Sequence, residues 1–180
     1  MPKFLLSFNT SFEKYIRKIF FIKRQTITFA AYLLFWNLST NKYYEMNISH
    51  IEHLGIAVKS IEASLPYYEQ ILGLKCYNIE EVADQKVKTA FFMVGQTKIE
   101  LLEPTSEEST IAKFIEKKGE GIHHIAFCVP SVSDALAEVE SKGIQLIDKA
   151  PRSGAEGLNI AFLHPKSTCS VLTELCEHPE

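Results

Sequence analysis

The pattern of apolar and polar positions repeats along the chain after residue 50. Three pairs of segments match in one order: IEHLGIAV at 51–58 with IHHIAFCV at 122–129, AFF at 90–92 with AFL at 161–163, and ELLE at 100–103 with ELCE at 174–177. The first two pairs are offset by 71 residues and the third by 74, so one loop is three residues longer in the second copy. This order of matches predicts two copies of one structural module.

Each copy has the pattern of a strand, a helix and three further strands. The first strand is the apolar run rich in Ile, Val and Phe. One helix is predicted between Ser60 and Gly73, where Pro66 implies a late start or a kink, and another begins at the capping residues Ser131 and Asp134. The later strands are predicted at 75–82, 86–94 and 97–103 in the first copy and at 144–149, 158–163 and 170–177 in the second.

These elements predict the α+β class, with two βαβββ modules at 50–104 and 121–178. A linker helix at about 109–118 is indicated by Ser109 before it and Gly119 after it. Modules of this type place their helices on one face of a mostly antiparallel sheet. Two of them predict a curved sheet of eight strands around a cavity, within one domain spanning 46–180.

Composition excludes several classes of protein. Of the 180 residues, 46% are hydrophobic and 23% are charged, which is typical of a folded core and not of a disordered chain. A formal charge of −3 gives no electrostatic reason to expect a nucleic-acid partner. The four cysteines show no CxxC spacing and are interpreted as thiols of a reducing compartment, which favours the cytoplasm.

The first 45 residues differ from the rest. Residues 1–45 hold seven basic residues and two acidic ones, a charge of +5, whereas 46–180 carry −8. The longest apolar run, 27–36, is about half of what a membrane-spanning helix needs, so no membrane partner is predicted. Three interpretations stay open: a targeting segment, which would direct the protein to the mitochondrial matrix, an amphipathic surface anchor, or translation upstream of a start at Met46.

His53 and His124 occupy equivalent positions in the first strands of the two copies. Alternate side chains of a strand share a face. Each histidine therefore shares its face with small residues, which leaves room for a ligand: Gly55 and Ala57 in the first copy, Ala126 and Cys128 in the second.

Glu100 and Glu174 also occupy equivalent positions, each between apolar neighbours near the end of a strand. A buried carboxylate is unfavourable unless its charge is compensated. If the sheet curves, these glutamates meet His53 and His124, and two nitrogen with two oxygen donors would bind a divalent ion such as Mn, Co, Ni, Mg or Zn. The alternative is that both glutamates pair with lysines at a sheet edge.

The other four histidines are interpreted as structural. His50 and His123 precede their strand or point to its opposite face, and His178 is expected in a solvated tail. His164, in the sequence His-Pro-Lys, is either a turn residue or a contact in the cavity wall.

At the paired histidines and glutamates the chain resembles the vicinal oxygen chelate superfamily and, within it, the methylmalonyl-CoA epimerases. The resemblance covers roughly residues 48–178 and nothing before Met46. The motifs that carry it are IEHLGIAV at 51–58, KIELLEPTSEESTIAKFIEKKGEGIHHIAF at 98–127 and FLHPKSTCSVLTEL at 162–175.

The resemblance implies a metal site with His53, Glu100, His124 and Glu174 as ligands, and cobalt as the favoured ion, although the family often has glutamine at the position of Glu100. It implies an isomerase that interconverts the C2 epimers of methylmalonyl-CoA through an enediolate, with Glu174 as a proton carrier, and a homodimeric assembly. Some epimerases have an acidic residue where this chain has Thr89. The second proton carrier is therefore unassigned, and a water on the metal and Glu100 are the two candidates.

Two other functions are compatible with the same residues. A glyoxalase-I-type lyase uses two histidines and two glutamates on a glutathione hemithioacetal, and a non-catalytic binding protein of the same fold needs no metal. The segment ending in GEGIHHIAF and the His-Pro-Lys turn favour the epimerase, and the complete ligand set disfavours the binding protein.

Overall fold

The computed structural model describes residues 46–179. The segment of residues 1–45, for which the sequence leaves three interpretations open, lies outside the described residues.

The first βαβββ module begins with β1, and its helix is short. The helix α1 begins at Ile61, so the late start that Pro66 could imply is not seen. At Pro66 it changes into a single π-helical turn at Tyr67–Ile71. The elements of this module are β1 His50–Ala57, α1 Ile61–Pro66, β2 Cys76–Val82, β3 Val87–Val94 and β4 Thr97–Pro104.

The second module follows a linker helix, as predicted. Ser109 caps this helix by accepting a hydrogen bond from Ala112 N at 2.9 Å, and Ser131 caps the helix of the second module in the same way, with Asp134 N as the donor at 3.2 Å. The elements are the linker α2 Thr110–Lys118, then β5 Gly121–Cys128, α3 Val132–Ser141, β6 Arg152–Ser153, β7 Asn159–Leu163 and β8 Thr173–Glu177.

In the described residues the strands form one eight-stranded sheet in the order β2-β3-β4-β1-β5-β8-β7-β6. The pairs β1/β4 and β5/β8 are parallel, and the other five pairs are antiparallel. The predicted fold class, α+β with a mostly antiparallel sheet built from two βαβββ modules, is confirmed. No helix in this part of the chain is both long and apolar enough to span a membrane.

The sheet curls until side chains from its two edges meet. Glu156 lies between β6 and β7 at one edge, and its Oε2 accepts a hydrogen bond from the hydroxyl of Tyr77 on β2 at the other edge, at 3.1 Å. The backbone N–H of Glu156 donates to Glu80 Oε1, also on β2, at 2.6 Å. The concave face of the sheet is therefore enclosed, as a cavity requires.

The helices α1 and α3 pack against the convex face of the sheet, each over an apolar cluster of its own module, and these two clusters are equivalent. Five positions of the first cluster correspond to five of the second at the spacing of the sequence repeat: Val58 and Val129, Ile61 and Val132, Ala90 and Ala161, Phe92 and Leu163, Leu101 and Leu175. The repeat seen in the sequence is therefore a repeat of core packing.

The prediction of a strand at 144–149 is wrong. Leu146 makes a single bridge to Leu163, and the backbone N–H groups of Ile147 and Asp148 both donate to Phe162 O. Asp148 Oδ2 accepts the hydrogen bond of Phe162 N at 2.8 Å, which removes a donor that a regular ladder would need. The edge strand β6 forms instead after Pro151 and is two residues long.

Candidate metal centre

The four side chains predicted as ligands lie on the four central strands of the sheet. The strands β1 and β5 carry the histidines, and β4 and β8 flank them with the glutamates. In each of two rows across the sheet a small residue separates a glutamate from a histidine: Glu100, Gly55 and His124 in one row, Glu174, Ala126 and His53 in the other. The register therefore brings one histidine and one glutamate from each module to one place.

The donor atoms of these side chains converge. The Nε2 atoms of His53 and His124 are 2.9 Å apart. Glu100 Oε2 lies 3.4 Å from His53 Nε2 and 3.6 Å from His124 Nε2. Glu174 Oε2 lies 3.8 Å from the first nitrogen and 3.2 Å from the second. The donors that all lie within 4.8 Å of one another come from three residues, His53, His124 and Glu174. Glu100 is near both histidines but lies outside this group of three.

These distances fit a divalent ion at the centre of the cluster. Donors that bind an ion at about 2.0–2.2 Å are about 3.0 Å apart at right angles and about 3.4 Å apart in a tetrahedron. Two imidazole nitrogens and two carboxylate oxygens are donors that Zn, Co, Ni and Mn accept. The residues present therefore fit the metal that the sequence predicts.

The four side chains line one cleft. All four residues are at most 5% exposed. Within residues 46–179 both glutamates have the two histidines as their ion-pair partners, and Lys98 pairs instead with Glu52 and Glu156. The alternative of lysine pairing at a sheet edge is therefore wrong for Glu100 and Glu174.

Burial and proximity shift the pKa values of the cluster in opposite directions. Burial alone would lower the pKa of His53, but the carboxylates of Glu100, Glu174 and Glu52 raise it well above its usual range. Burial raises the pKa of Glu100 to about 7. Burial, together with the neighbouring rings of His53 and His123, holds the pKa of His124 well below its usual range. Positive charge on His53 thus offsets buried carboxylates, and a divalent cation would offset them in the same way.

Glu52 is a site residue that strand alternation does not predict. Its side chain should point away from that of His53, but β1 has a bulge between Ile51 and His53 where the register with β5 shifts. Glu52 is 1% exposed, and its Oε2 lies 2.5 Å from His53 Nδ1. Burial opposes ionisation of Glu52, but hydrogen bonds from His53 and Lys98 lower its pKa to about 2.

Lys98 connects Glu52 to the far edge of the sheet. Its Nζ lies 2.5 Å from Glu52 Oε1 and 2.6 Å from Glu156 Oε2. Despite its burial, these two carboxylates raise the pKa of Lys98 above its usual range. Glu156 makes this contact from a left-handed backbone conformation, with φ of 53°. The pattern of the sequence holds no signal for this pairing, because its partners are far apart along the chain.

His123 is the equivalent of Glu52 in the second module. The register of β5 shifts between His124 and Ile122, opposite Gly55 and Ile56, so His123 occupies a bulge as Glu52 does. Its Nδ1 lies 2.9 Å from His124 Nδ1. Burial and the charge of Lys118 lower the pKa of His123 to about 4, so the ring is neutral near pH 7. The prediction that His123 points to the opposite face is wrong.

Gly55 provides space for the ring of His124. A Cβ atom at this position would lie 2.2 Å from His124 Cε1 and 2.4 Å from its Nδ1. Any side chain here would displace the ring, so this position needs glycine for close approach.

The remaining sequence candidates lie around the site. Thr89 lines the cleft and is 1% exposed, so this position presents a hydroxyl where some epimerases have a carboxylate. His164 is a turn residue, whose Nδ1 accepts a hydrogen bond from Lys166 N at 3.1 Å. The side chain of His178 is 53% exposed, as expected of a tail, although its Nε2 lies 3.4 Å from Glu52 Oε1.

Comparison with known proteins agrees with this fold and site. Residues 52–162 match the family described as the Glyoxalase/Bleomycin resistance protein/Dioxygenase superfamily. The chain therefore belongs to this superfamily, the one that the sequence resembles through its paired histidines and glutamates. Among curated relatives, an uncharacterized protein of Bacillus subtilis, YqjC, is 46% identical over 130 residues, which are 72% of this chain and 93% of that protein.

Two further relatives carry a named activity. The mitochondrial methylmalonyl-CoA epimerase of Homo sapiens is 35% identical over 130 residues, covering 72% of this chain and 74% of that protein. A solved structure of a variant of the Streptomyces coelicolor methylmalonyl-CoA epimerase, in complex with 2-nitronate-propionyl-CoA, is 36% identical, with a TM-score of 0.71 over 73% of this chain and 95% of that one. The resemblance to methylmalonyl-CoA epimerases is confirmed.

Proposed function

We propose that this protein is an isomerase that interconverts the two C2 epimers of methylmalonyl-CoA with the help of a divalent metal ion. The observation that carries the proposal is the convergence of His53, Glu100, His124 and Glu174 in one buried cleft. The named epimerases among its relatives supply the substrate, since the geometry alone is compatible with several reactions at a carbon next to a carbonyl.

His53, Glu100, His124 and Glu174 would hold the ion. A bound divalent ion supplies Lewis-acid stabilisation of the negative charge that forms on the substrate oxygens, as an enediolate, when C2 loses its proton. Cobalt is the ion that we expect to support activity best, and the donor set also suits manganese, nickel, zinc and magnesium.

Glu174 is the first proton carrier in this proposal. Its carboxylate reaches the centre of the cluster from β8, with Oε2 3.2 Å from His124 Nε2, and the residue is 3% exposed. A buried carboxylate at this place is close to any substrate atom held between the histidines.

Glu100 is the second proton carrier. The strand order places β4 and β8 on either side of the histidine strands, so the two glutamates approach the cluster from opposite sides. Inversion at C2 needs an acid and a base on opposite faces of the substrate. Thr89 offers no titratable group to compete for this role.

The functional unit that we propose is the domain at 46–180, acting as a homodimer in the cytoplasm. Within residues 46–179 its apolar clusters and its candidate metal centre are built from the two modules, the linker helix and Met46. Protein expressed from Met46 is expected to retain full activity, and size-exclusion chromatography with light scattering measures the assembly.

The test follows hydrogen at C2. We expect the purified protein, loaded with cobalt in heavy water, to incorporate deuterium at C2 of both epimers of methylmalonyl-CoA, as measured by mass spectrometry. Treatment with a strong chelator should abolish the exchange, and added cobalt should restore it. Exchange that survives removal of the metal would contradict the proposal. Turnover of methylglyoxal with glutathione, in the absence of C2 exchange, would replace it with the lyase.

A further inference from the structure

We propose that the two bulge residues, Glu52 and His123, are positioning residues: each holds Nδ1 of the histidine that follows it, so that both rings present Nε2 to the cleft. We further infer that the carboxylate of Glu52 holds His53 more firmly than His123 holds His124. This inference rests on the proposed metal site and assigns it two additional residues.

The bulges explain why consecutive residues can act together. In a regular strand, Glu52 and His53 would lie on opposite faces, and so would His123 and His124. Glu52 and His123 are the extra residues of the two bulges, and the shift in register lets each side chain contact the histidine that follows it. The two bulges are equivalent in the sequence repeat, and each lies immediately before a candidate ligand.

The contact with Glu52 determines which nitrogen of His53 carries hydrogen. An ionised carboxylate only accepts hydrogen bonds, so the hydrogen in the 2.5 Å contact between Glu52 Oε2 and His53 Nδ1 comes from the ring. When the ring binds an ion it is neutral and keeps one such hydrogen, so with that hydrogen on Nδ1 the ion binds at Nε2. Lys98 holds the other oxygen of Glu52 at 2.5 Å, so the carboxylate is fixed from both sides.

His123, like Glu52, accepts a hydrogen bond from Nδ1 of the histidine that follows it, but it is a weaker acceptor than Glu52. His124 can present Nε2 to an ion only if its ring hydrogen is on Nδ1, where His123 Nδ1 accepts it at 2.9 Å. The ring of His123 is itself held edge-on against Phe114 of α2, with centroids 5.0 Å apart. A neutral acceptor forms a weaker hydrogen bond than a carboxylate does. The two ligands are therefore supported unequally.

The experiment uses reciprocal variants of the full chain loaded with zinc, which is suited to nuclear magnetic resonance. Glu52→Met and His123→Phe each remove one acceptor and keep a side chain of similar size, so each variant is the matched control for the other. Nitrogen and proton spectra of the imidazole rings report which nitrogen binds zinc and whether the other carries a slowly exchanging proton. Competition with a coloured chelator measures zinc affinity.

In the unmodified protein we expect zinc on Nε2 of both rings and a protected proton on both Nδ1 atoms. Glu52→Met should remove protection from His53 alone and weaken zinc binding by about 10- to 100-fold. His123→Phe should remove protection from His124 alone and weaken binding by less than about 10-fold. Glu52→Gln, which keeps an oxygen acceptor without the charge, should restore part of the loss and also serves if Glu52→Met does not fold.

Two results would overturn the inference while leaving the metal site intact. One is zinc bound to Nδ1 of either ring. The other is a His53 Nδ1 proton that stays protected in Glu52→Met. If Glu52→Met does not fold, the corresponding result is Glu52→Gln protein whose zinc affinity and imidazole spectra equal those of the unmodified protein. Unmodified protein that binds no zinc, cobalt or manganese would instead contradict the proposed function, and this inference with it.

Discussion

In both modules a glutamate at the end of the last strand accepts a hydrogen bond from the first residue of the helix. Glu103 Oε2 accepts from Ile61 N at 2.5 Å, and Glu177 Oε2 accepts from Val132 N at 2.8 Å. The helix-capping serines Ser60 and Ser131 are equivalent too, as are the apolar clusters beneath the helices. The modules thus share the contacts that attach helix to sheet.

The modules differ on the concave face, around the candidate ligands. Glu52 supports His53, whereas His123 supports His124. Gly55 adjoins the ring of His124, while its equivalent, the fully buried Ala126, lies in the row of His53. A duplicated core with an unequal site indicates that the two halves contribute differently to one reaction. An asymmetric substrate gives a physical reason for this, because its two faces at C2 must be treated by different groups.

Removing either histidine should have the largest effect. His124→Ala and His53→Ala each delete one of four donors from the buried site, so both variants should lose the metal and lower turnover by about a thousandfold or more. Metal content after gel filtration and deuterium exchange at C2 measure this, and circular dichroism should show an intact fold. His50→Ala, at the beginning of the same strand as His53, is the matched control. Normal activity in metal-stripped His124→Ala would contradict the proposed site.

Replacing the glutamates tests how the halves divide the chemistry. Glu174→Gln keeps an oxygen donor and removes the proton carrier, which should slow deuterium exchange from one epimer by about 10²- to 10⁴-fold. Glu100→Gln should retain the metal and slow exchange from the other epimer. The measurement starts from each pure epimer and follows C2 exchange before inversion.

Equal exchange from both epimers in Glu100→Gln would show that Glu100 is a ligand alone. The second proton carrier would then lie elsewhere in the cleft. The two modules would then also differ in the roles of their carboxylates.

Exchanging the small residues of the two rows should have a moderate effect. In Gly55→Ala the new Cβ would contact the His124 ring at 2.2 Å, so the ring must move, at a cost of about 1–3 kcal/mol in stability and with weaker metal binding. Ala126→Gly removes a methyl group at the equivalent position of the other row and should cost about 0.5–1 kcal/mol with unchanged metal affinity. Urea unfolding and metal titration separate the two. Equal metal affinity in both variants would show that the close approach at Gly55 is dispensable.

Much of the fold could be predicted because the repeat preserves the features that determine it. Serine caps, apolar runs and the spacing of 71 residues predict both modules and the linker helix at 109–118. The strand at 144–149 fails because its β-type composition does not reveal that Asp148 takes the hydrogen bond of Phe162 N. A side chain that competes with the ladder is not visible in the periodicity of apolar positions.

The candidate site could be predicted only for its four duplicated residues. Equivalence between the copies predicts these four residues, and the structure brings them together, while their role as ligands stays a prediction: His53, Glu100, His124 and Glu174. Strand alternation misplaces the residues that precede the two histidines, because it holds only where the register is continuous. The pairing of Lys98 with Glu156 depends on the curl of the sheet, and the spacing of apolar and polar residues along the chain does not specify that curl.

The smallest effect is expected where the modules are most alike. Glu103→Gln and Glu177→Gln each remove a charge from the first turn of a helix and keep an oxygen acceptor. Each should lower the free energy of unfolding by about 0.3–1 kcal/mol, because carboxylates at a helix N-terminus interact mainly with the first turn. Urea unfolding of the metal-loaded protein measures both, and Glu107→Gln, which alters an exposed glutamate, is the control.

The two losses should be equal even though α1 has six residues before its π-helical turn and α3 has ten. If the whole helix dipole acted on these carboxylates, Glu177→Gln would cost more than Glu103→Gln. Equal losses would show that the carboxylates act through the local hydrogen bonds to Ile61 N and Val132 N. The equivalence of the modules would then hold at the level of single hydrogen bonds, and their inequality would be confined to the concave face.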